Sequence, residues 1–154
     1  MILGTYENIS EVDKSYLAGI IDGEGCIRIG KNIINPDHPL YTSCVEVTQV
    51  SKSFLEDLQT LWAGAGSIHQ HAHAKGNQSD SYRWTISGKK SQDVLEAVLP
   101  YLRLKGNQAE GAIELERSKR RTGKSNRAKP STKEEREYRE YIKTRISDLN
   151  QGVL

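Results

Sequence analysis

The chain has few cysteines, no long hydrophobic run and almost no net charge, and each shortage removes a class of function. Its two cysteines, Cys26 and Cys44, lie far apart, and neither belongs to a C-x-x-C pair. A disulfide framework and a zinc ribbon are therefore both unsupported, and the two thiols are expected to be reduced. Apolar residues make up 36% of the 154 residues, and no uninterrupted stretch of them nears the roughly 20 residues that a membrane-spanning helix needs. A soluble protein with no membrane partner is expected. The N-terminus has neither the basic start and apolar core of a secretory signal nor the Arg/Ser-rich amphipathic pattern of a transit peptide. The expected location is intracellular, organellar or in a bacterial or phage setting. The length suits one domain with one core rather than two independent ones.

The formal charge of +2 conceals a division along the chain. Residues 1–100 hold 8 Lys/Arg against 12 Asp/Glu, a net of −4, while residues 101–154 hold 14 against 8, a net of +6. Arg117, Lys119, Arg120, Arg121, Lys124, Arg127 and Lys129 follow one another without an acidic residue among them. Such a run suits contact with phosphates. A solvated loop would have the same composition.

Ser10-Glu11-Val12-Asp13 has the form of a capping box, and Val12, Tyr16, Leu17, Ile20 and Ile21 recur at helical spacing, which predicts a helix over residues 11–22. It is expected to stop at Gly23 and Gly25, where a left-handed turn is easy. From Cys26 the pattern alternates, with Ile27 and Ile29 on one face and Cys26 and Arg28 on the other, as in a strand. After an Asn35-Pro36-Asp37-His38-Pro39 loop, a second strand covers about 41–49 with Tyr41, Val45 and Val47 inward. Phe54, Leu55, Leu58, Leu61 and Trp62 mark a second helix. Strands over 67–73 and 81–87 follow, the latter with Tyr82, Trp84 and Ile86 inward. Helices are then expected from Ser91 to about Pro100, from Gly106 to Ser118, and after a Thr132/Glu135 cap to about Leu149. This order predicts an α+β fold of αββαββα type, a four-stranded antiparallel sheet with helices on one face and the other face open and polar. Residues 1–116 form the core, and the basic segment with the last helix, 117–154, belongs to the same domain. Only one copy of the first-helix motif is present, and no other repeat.

That motif, Leu17-Ala18-Gly19-Ile20-Ile21-Asp22-Gly23-Glu24-Gly25, closely resembles the signature of the LAGLIDADG homing endonucleases, with Ile, Gly and Glu at its fourth, seventh and eighth positions. Val47-Thr48-Gln49, the Phe54-Leu55-Glu56-Asp57-Leu58 helix and the stretch from Leu99-Pro100-Tyr101 through Lys105 to Ala109 extend the resemblance over about residues 10–116, to the single-motif, homodimeric branch. The resemblance implies the saddle form of the sheet and an intron- or intein-encoded enzyme. Such an enzyme hydrolyses both strands of a long, near-palindromic double-stranded DNA target and leaves cohesive 3′ ends. It implies Mg²⁺ bound by Glu24 with Gly23, with Mn²⁺ substituting and Ca²⁺ binding without supporting cleavage, and no small-molecule cofactor. Catalytic roles fall on Glu24, on Gln49 as the group orienting a water, and on Lys105 near the scissile phosphate. Many relatives carry a further basic residue soon after the Gln49 position. Here the chain reaches Phe54 in fewer residues, and Lys52 stands in that place.

The physical chemistry of the motif agrees. Small residues Ala18, Gly19 and Gly23 let a second helix come close, so a homodimer interface is expected along Leu17, Ala18 and Gly19. The resemblance implies that Asp22 also serves the helix end and this interface rather than the metal. Glu24, expected just past the helix C-terminus, adds a negative charge where the dipole is already negative; a hard divalent cation would relieve it. On the outer face of the sheet, Arg28, Asn32, Thr42, Glu46, His69, His71, Arg83 and Thr85 are the expected DNA contacts. Arg28 and Arg83 would read guanine, and Glu46 would accept from cytosine N4. His69, His71 and His73 alternate along a strand and would also suit zinc, but no Cys or carboxylate stands at a matching spacing, so DNA contact is the preferred reading. Two rivals use the same fold: a cleavage-inactive DNA-binding regulator, and an intron RNA maturase that puts the basic segment on RNA.

Overall fold

Ser10 starts the first helix, its Oγ accepting from the Asp13 N–H at 3.1 Å. The structure, a computed structural model, describes residues 6–119, 121–122, 127–128 and 131–152. Helix α1 runs Glu11–Glu24, two residues beyond the expected end, because Gly23 stays helical and the break falls at Gly25. Gly25 is extended (φ −85°, ψ 165°) rather than left-handed. Its glycine is needed for space: the chain folds back so tightly that a Cβ would stand 2.7 Å from Ile21 Cα.

From Gly25 the chain enters β1 (Gly25–Asn32) and returns in β2 (Leu40–Gln49). Helix α2 (Lys52–Leu61) follows, capped by Ser51, and then β3 (Ser67–Ala72) and β4 (Ser81–Ser87). The four strands form one antiparallel sheet in the order β1-β2-β4-β3, which puts β2 and β4 at its centre. Helix α3 (Lys89–Val98) leads through a 3₁₀ turn at Leu99–Tyr101 into α4 (Gly106–Arg117), and α5 (Lys133–Asn150) ends the order. This is the expected α+β arrangement. Within the basic run, Arg121–Thr122 (β5) pairs with Arg127–Ala128 (β6), a small ladder that the sequence did not suggest. The rest of that run from Arg120 to Pro130, and with it the expected phosphate contacts there, lies outside the described residues.

One face of the sheet carries the core. Ile27, Val45, Trp84 and Ile86 are sealed there by Leu17, Ile21, Leu55, Leu95, Leu115 and Ile146 from the helices. Burying such a side chain is worth about 1.5–3 kcal/mol before entropy is counted. Two polar devices fix the helices to the sheet. Where β4 ends, the Ser43 N–H of β2 is met by the buried carboxylate of Glu116 at 2.8 Å, whose charge Lys119 balances at 2.9 Å. Helix α5, started by a Thr132/Glu135 capping box, sends Asn150 Nδ2 to the Ile27 carbonyl at 2.7 Å. Its Arg139 guanidinium donates to the Ser118 carbonyl at 3.0 Å, capping the C-terminal end of α4. Among the described residues, no helix is long and apolar enough to cross a membrane.

Candidate functional site

At its C-terminal end α1 collects three segments that are far apart in the chain. Asp22 accepts three backbone N–H groups, from Arg103 at 2.8 Å, Leu104 at 3.2 Å and Lys105 at 2.9 Å. Partial burial pushes its carboxyl up, but these donors and the nearby Lys105 charge outweigh that and hold it below the usual carboxylate range. The anchored loop places the Lys105 ammonium on the Ile21 carbonyl at 2.9 Å and on the Gly25 carbonyl. Gln49, the last residue of β2, donates its amide N–H to the Glu24 carboxylate. Glu24, Gln49 and Lys105 thus share one helix end. Glu24 is the final residue of α1 rather than a residue beyond it, and it is exposed together with Gly23. No basic side chain stands in that last turn, and among the described residues no ion pair reaches Glu24. Its charge therefore adds to the negative end of the helix dipole, where Lys105 caps the Ile21 and Gly25 carbonyls but, among the described residues, no cation pairs with the carboxylate itself. Among the described residues no cluster of three or more metal-ligating side chains occurs.

The exposed side of α1 differs from the expected interface. Leu17 and Ala18 are 1% and 0% exposed, packed in the chain's own core, because the helix turns them toward the sheet. They are not accessible to a partner, and Asp22 is directed at the 103–105 loop. What α1 presents outward is Val12 (77% exposed) and Tyr16 (54%), with Gly19 and Gly23 on the same stripe. A shallow groove of about 800 Å³ runs along it, lined by Tyr16, Gly19, Ile20, Gly23, Glu24, Gln49 and Phe54. Lys52 does not enter it; it pairs with Glu56 at 3.5 Å along α2.

The open sheet face carries the remaining candidates. Arg28 and Arg83 converge on Glu46, at 2.8 and 3.8 Å. The expectation that Glu46 reads cytosine is corrected by this contact: the residue is 8% exposed and its carboxylate is occupied by arginines. The Arg28 hydrogen bond holds it below the usual carboxylate range despite burial. Arg83 also donates to Thr48 Oγ1 at 3.3 Å and to His71 Nε2 at 3.0 Å. Arginine has no acceptor, so in this contact the His71 Nε2 is the acceptor. His69 bonds Ser67 at 2.9 Å, Asn32 is exposed at the strand end, and Thr42 and Thr85 are half-buried on this face. The three histidines do not form a row, because the β3 register shifts between Gln70 and Ala72 and His73 lies past the strand. Neighbouring Cys44 is a buried thiol whose pKa burial pushes up to about 11, and both cysteines are free. Sequence reading missed the Glu46 clamp and the Asp22 anchor. The first needs the strand register and the second a loop more than 80 residues away.

The sequence profile of the LAGLIDADG-like domain matches residues 11–99, more than half of the chain. No curated protein matches. Among solved structures, the homing endonuclease I-CvuI, complexed with the I-CreI target in the presence of magnesium with the DNA uncleaved, superimposes with a TM-score of 0.69 at 22% identity, over 90% of this chain and 82% of that one. The archaeal intron-encoded homing endonuclease I-Vdi141I, complexed with DNA, gives 0.57 at 18% identity over 70% and 69%. The group I intron-encoded I-CeuI, also complexed with DNA, gives 0.51 at 19% identity over 71% and 56%. At these identities the likeness is one of fold.

Proposed function

Because the chain belongs to the LAGLIDADG-like domain family, we propose that it is a site-specific, magnesium-dependent DNA endonuclease that cuts both strands as a homodimer. The observation that carries this reading is the meeting of Glu24, Gln49 and Lys105 at the end of α1. The assembled trio favours cleavage over a regulator that only binds. Gly19 and Gly23 support the dimer. A Cβ at either meets nothing within 4 Å in this chain, yet glycine inside a helix costs about 0.5–1 kcal/mol relative to alanine. A second α1 packed along this stripe gives the small residues a purpose and brings two Glu24 carboxylates together.

Glu24 fits a hard divalent cation: it is an exposed anionic oxygen donor at the end of a helix, and among the described residues no cation forms an ion pair with it. The Glu24 carboxylate and the Gly23 carbonyl would hold the ion, which supplies charge neutralisation at the phosphate and activation of water. Gln49 orients the Glu24 carboxylate through its amide N–H and keeps its own carbonyl as an acceptor for water. Lys105, steadied by two carbonyl oxygens, presents positive charge toward a phosphate entering the site. The arginines and polar residues of the open sheet face supply the contacts to base edges.

The test is selection of cleaved sites from a randomised duplex library in Mg²⁺, followed by Glu24→Gln on a selected site. The variant should cut roughly 10²–10³-fold more slowly, the scale on which loss of one charge-stabilising group acts. It should bind metal-free DNA at least as tightly, because a carboxylate facing phosphates is gone. Wild-type turnover by Glu24→Gln, or no selected site for the wild type, would remove the assignment.

A further inference from the structure

The open face of the sheet holds a buried carboxylate between two arginines, a costly arrangement that the cleavage chemistry does not require. Glu46 stands opposite Cys26 on β1 and Thr85 on β4, while Arg28 stands opposite Cys44 and Arg83 opposite Thr48. Each arginine is therefore diagonal to Glu46, one on either side, and the three side chains cross three strands in a line. Diagonal neighbours of this kind stand about 7–8 Å apart, within reach of long side chains. Left to themselves, two like-charged arginines would splay away from each other. Instead Arg28 Nη2 lies 2.8 Å from one Glu46 oxygen and Arg83 Nη1 lies 3.8 Å from the other. The two cationic heads are drawn within about three base-pair steps of one another, at ~3.4 Å per step.

The exposures divide the roles. Glu46's side chain is 10% exposed, against 47% for Arg28 and 34% for Arg83. Only the arginines reach outward. A base that took a hydrogen bond from Glu46 would have to displace a guanidinium and leave a buried charge poorly paired, which is strongly unfavourable. Each arginine keeps further N–H groups beyond those given to Glu46, Thr48 and His71. A guanidinium already held in one orientation loses less freedom when it meets the paired acceptors of guanine.

We propose that Glu46 is a positioning residue that binds Arg28 and Arg83 into one reading unit, so that base preference at two neighbouring positions of each DNA half-site is set jointly. The inference rests on the DNA-binding reading above. With the carboxylate neutralised, both guanidiniums are released to the nearest phosphates, which carry no sequence information. Sequence preference falls at both positions at once, while binding to arbitrary duplex strengthens and depends more steeply on salt, by about one counterion for each phosphate gained.

The experiment is metal-free selection of bound sequences from a randomised duplex library by the full chain, with a salt titration on random-sequence duplex. The wild type should prefer particular pairs at two neighbouring positions, roughly 5- to 150-fold over the wrong base, the range for a bidentate contact. Glu46→Gln should relax both together and steepen the salt dependence. Glu46→Asp keeps the charge but cannot span both arginines at once; it should leave both preferences relaxed and give a salt dependence between those of the wild type and Glu46→Gln. That variant also decides the matter if Glu46→Gln folds poorly. Relaxation at one position alone, unchanged selection by Glu46→Gln, or full recovery of preference by Glu46→Asp would overturn the positioning role and leave the DNA-binding reading intact. A wild-type protein that enriches no sequence would overturn both.

Discussion

Replacing Asp22 with Asn tests whether the site is held together by one carboxylate. Asp22 Oδ2 accepts from the Arg103 N–H, and Oδ1 accepts from the Leu104 and Lys105 N–H groups. Asparagine keeps one acceptor oxygen and turns an NH₂ donor toward the remaining N–H. One hydrogen bond is lost and two change from charged to neutral acceptors. Hydrogen bonds to charged groups are worth about 1.5–3 kcal/mol and neutral ones about 0.5–1.5. The site is part-exposed, so water recovers some of this, and the net loss should be about 2 kcal/mol. For a domain of this size that lowers Tm by roughly 4–8 °C. The pH dependence is the sharper readout. The folded carboxyl lies below its unfolded value of about 3.9, so its contribution is complete above that value and is lost as pH falls through the folded one. Thermal melts followed by circular dichroism should therefore show a constant gap between wild type and Asp22→Asn near neutrality. The gap should begin to close below about pH 4. Equal stability at pH 7, or a gap that persists once the wild-type carboxyl is protonated, would refute the reasoning. Because the anchored loop carries Lys105, cleavage by the variant should fall even at temperatures where it is folded.

Two substitutions address the glycines. Gly19→Leu should leave the protomer folded, since nothing in the chain lies within 4 Å of its Cβ position, but should convert a dimer to a monomer in sedimentation analysis; an unchanged dimer would move the interface off α1. Gly66→Ala should destabilise by about 2–4 kcal/mol in urea unfolding, because the residue has φ +72° and its Cβ would fall onto the Thr85 carbonyl; a smaller loss would mean that β3 can slide away from β4.

Hydrophobic periodicity made the element order legible, and the alternation along β2 separated Tyr41, Val45 and Val47 from the opposite face, because a sheet with one covered side enforces that pattern residue by residue. The motif made Glu24 conspicuous. Local pattern failed where the answer depended on what the chain meets after turning. Leu17 and Ala18 read as contact residues for a partner, but the angle at which α1 lies on the sheet sends them into the core and leaves Val12, Tyr16, Gly19 and Gly23 outside. The Gly25 turn read as left-handed, whereas its requirement is the proximity of Ile21. Glu46 read as one polar residue among several on an outward face. Its clamp on two arginines exists only once β1, β2 and β4 are paired in register, since side chains on separate strands meet through hydrogen-bonded backbones and not through sequence spacing. The sequence alone determined which residues are chemically able to bind metal, phosphate and bases. The tertiary structure decided which of them meet, because a carboxylate and its partners tens of residues away share a site only when packing of the helices and pairing of the strands bring them within hydrogen-bond reach.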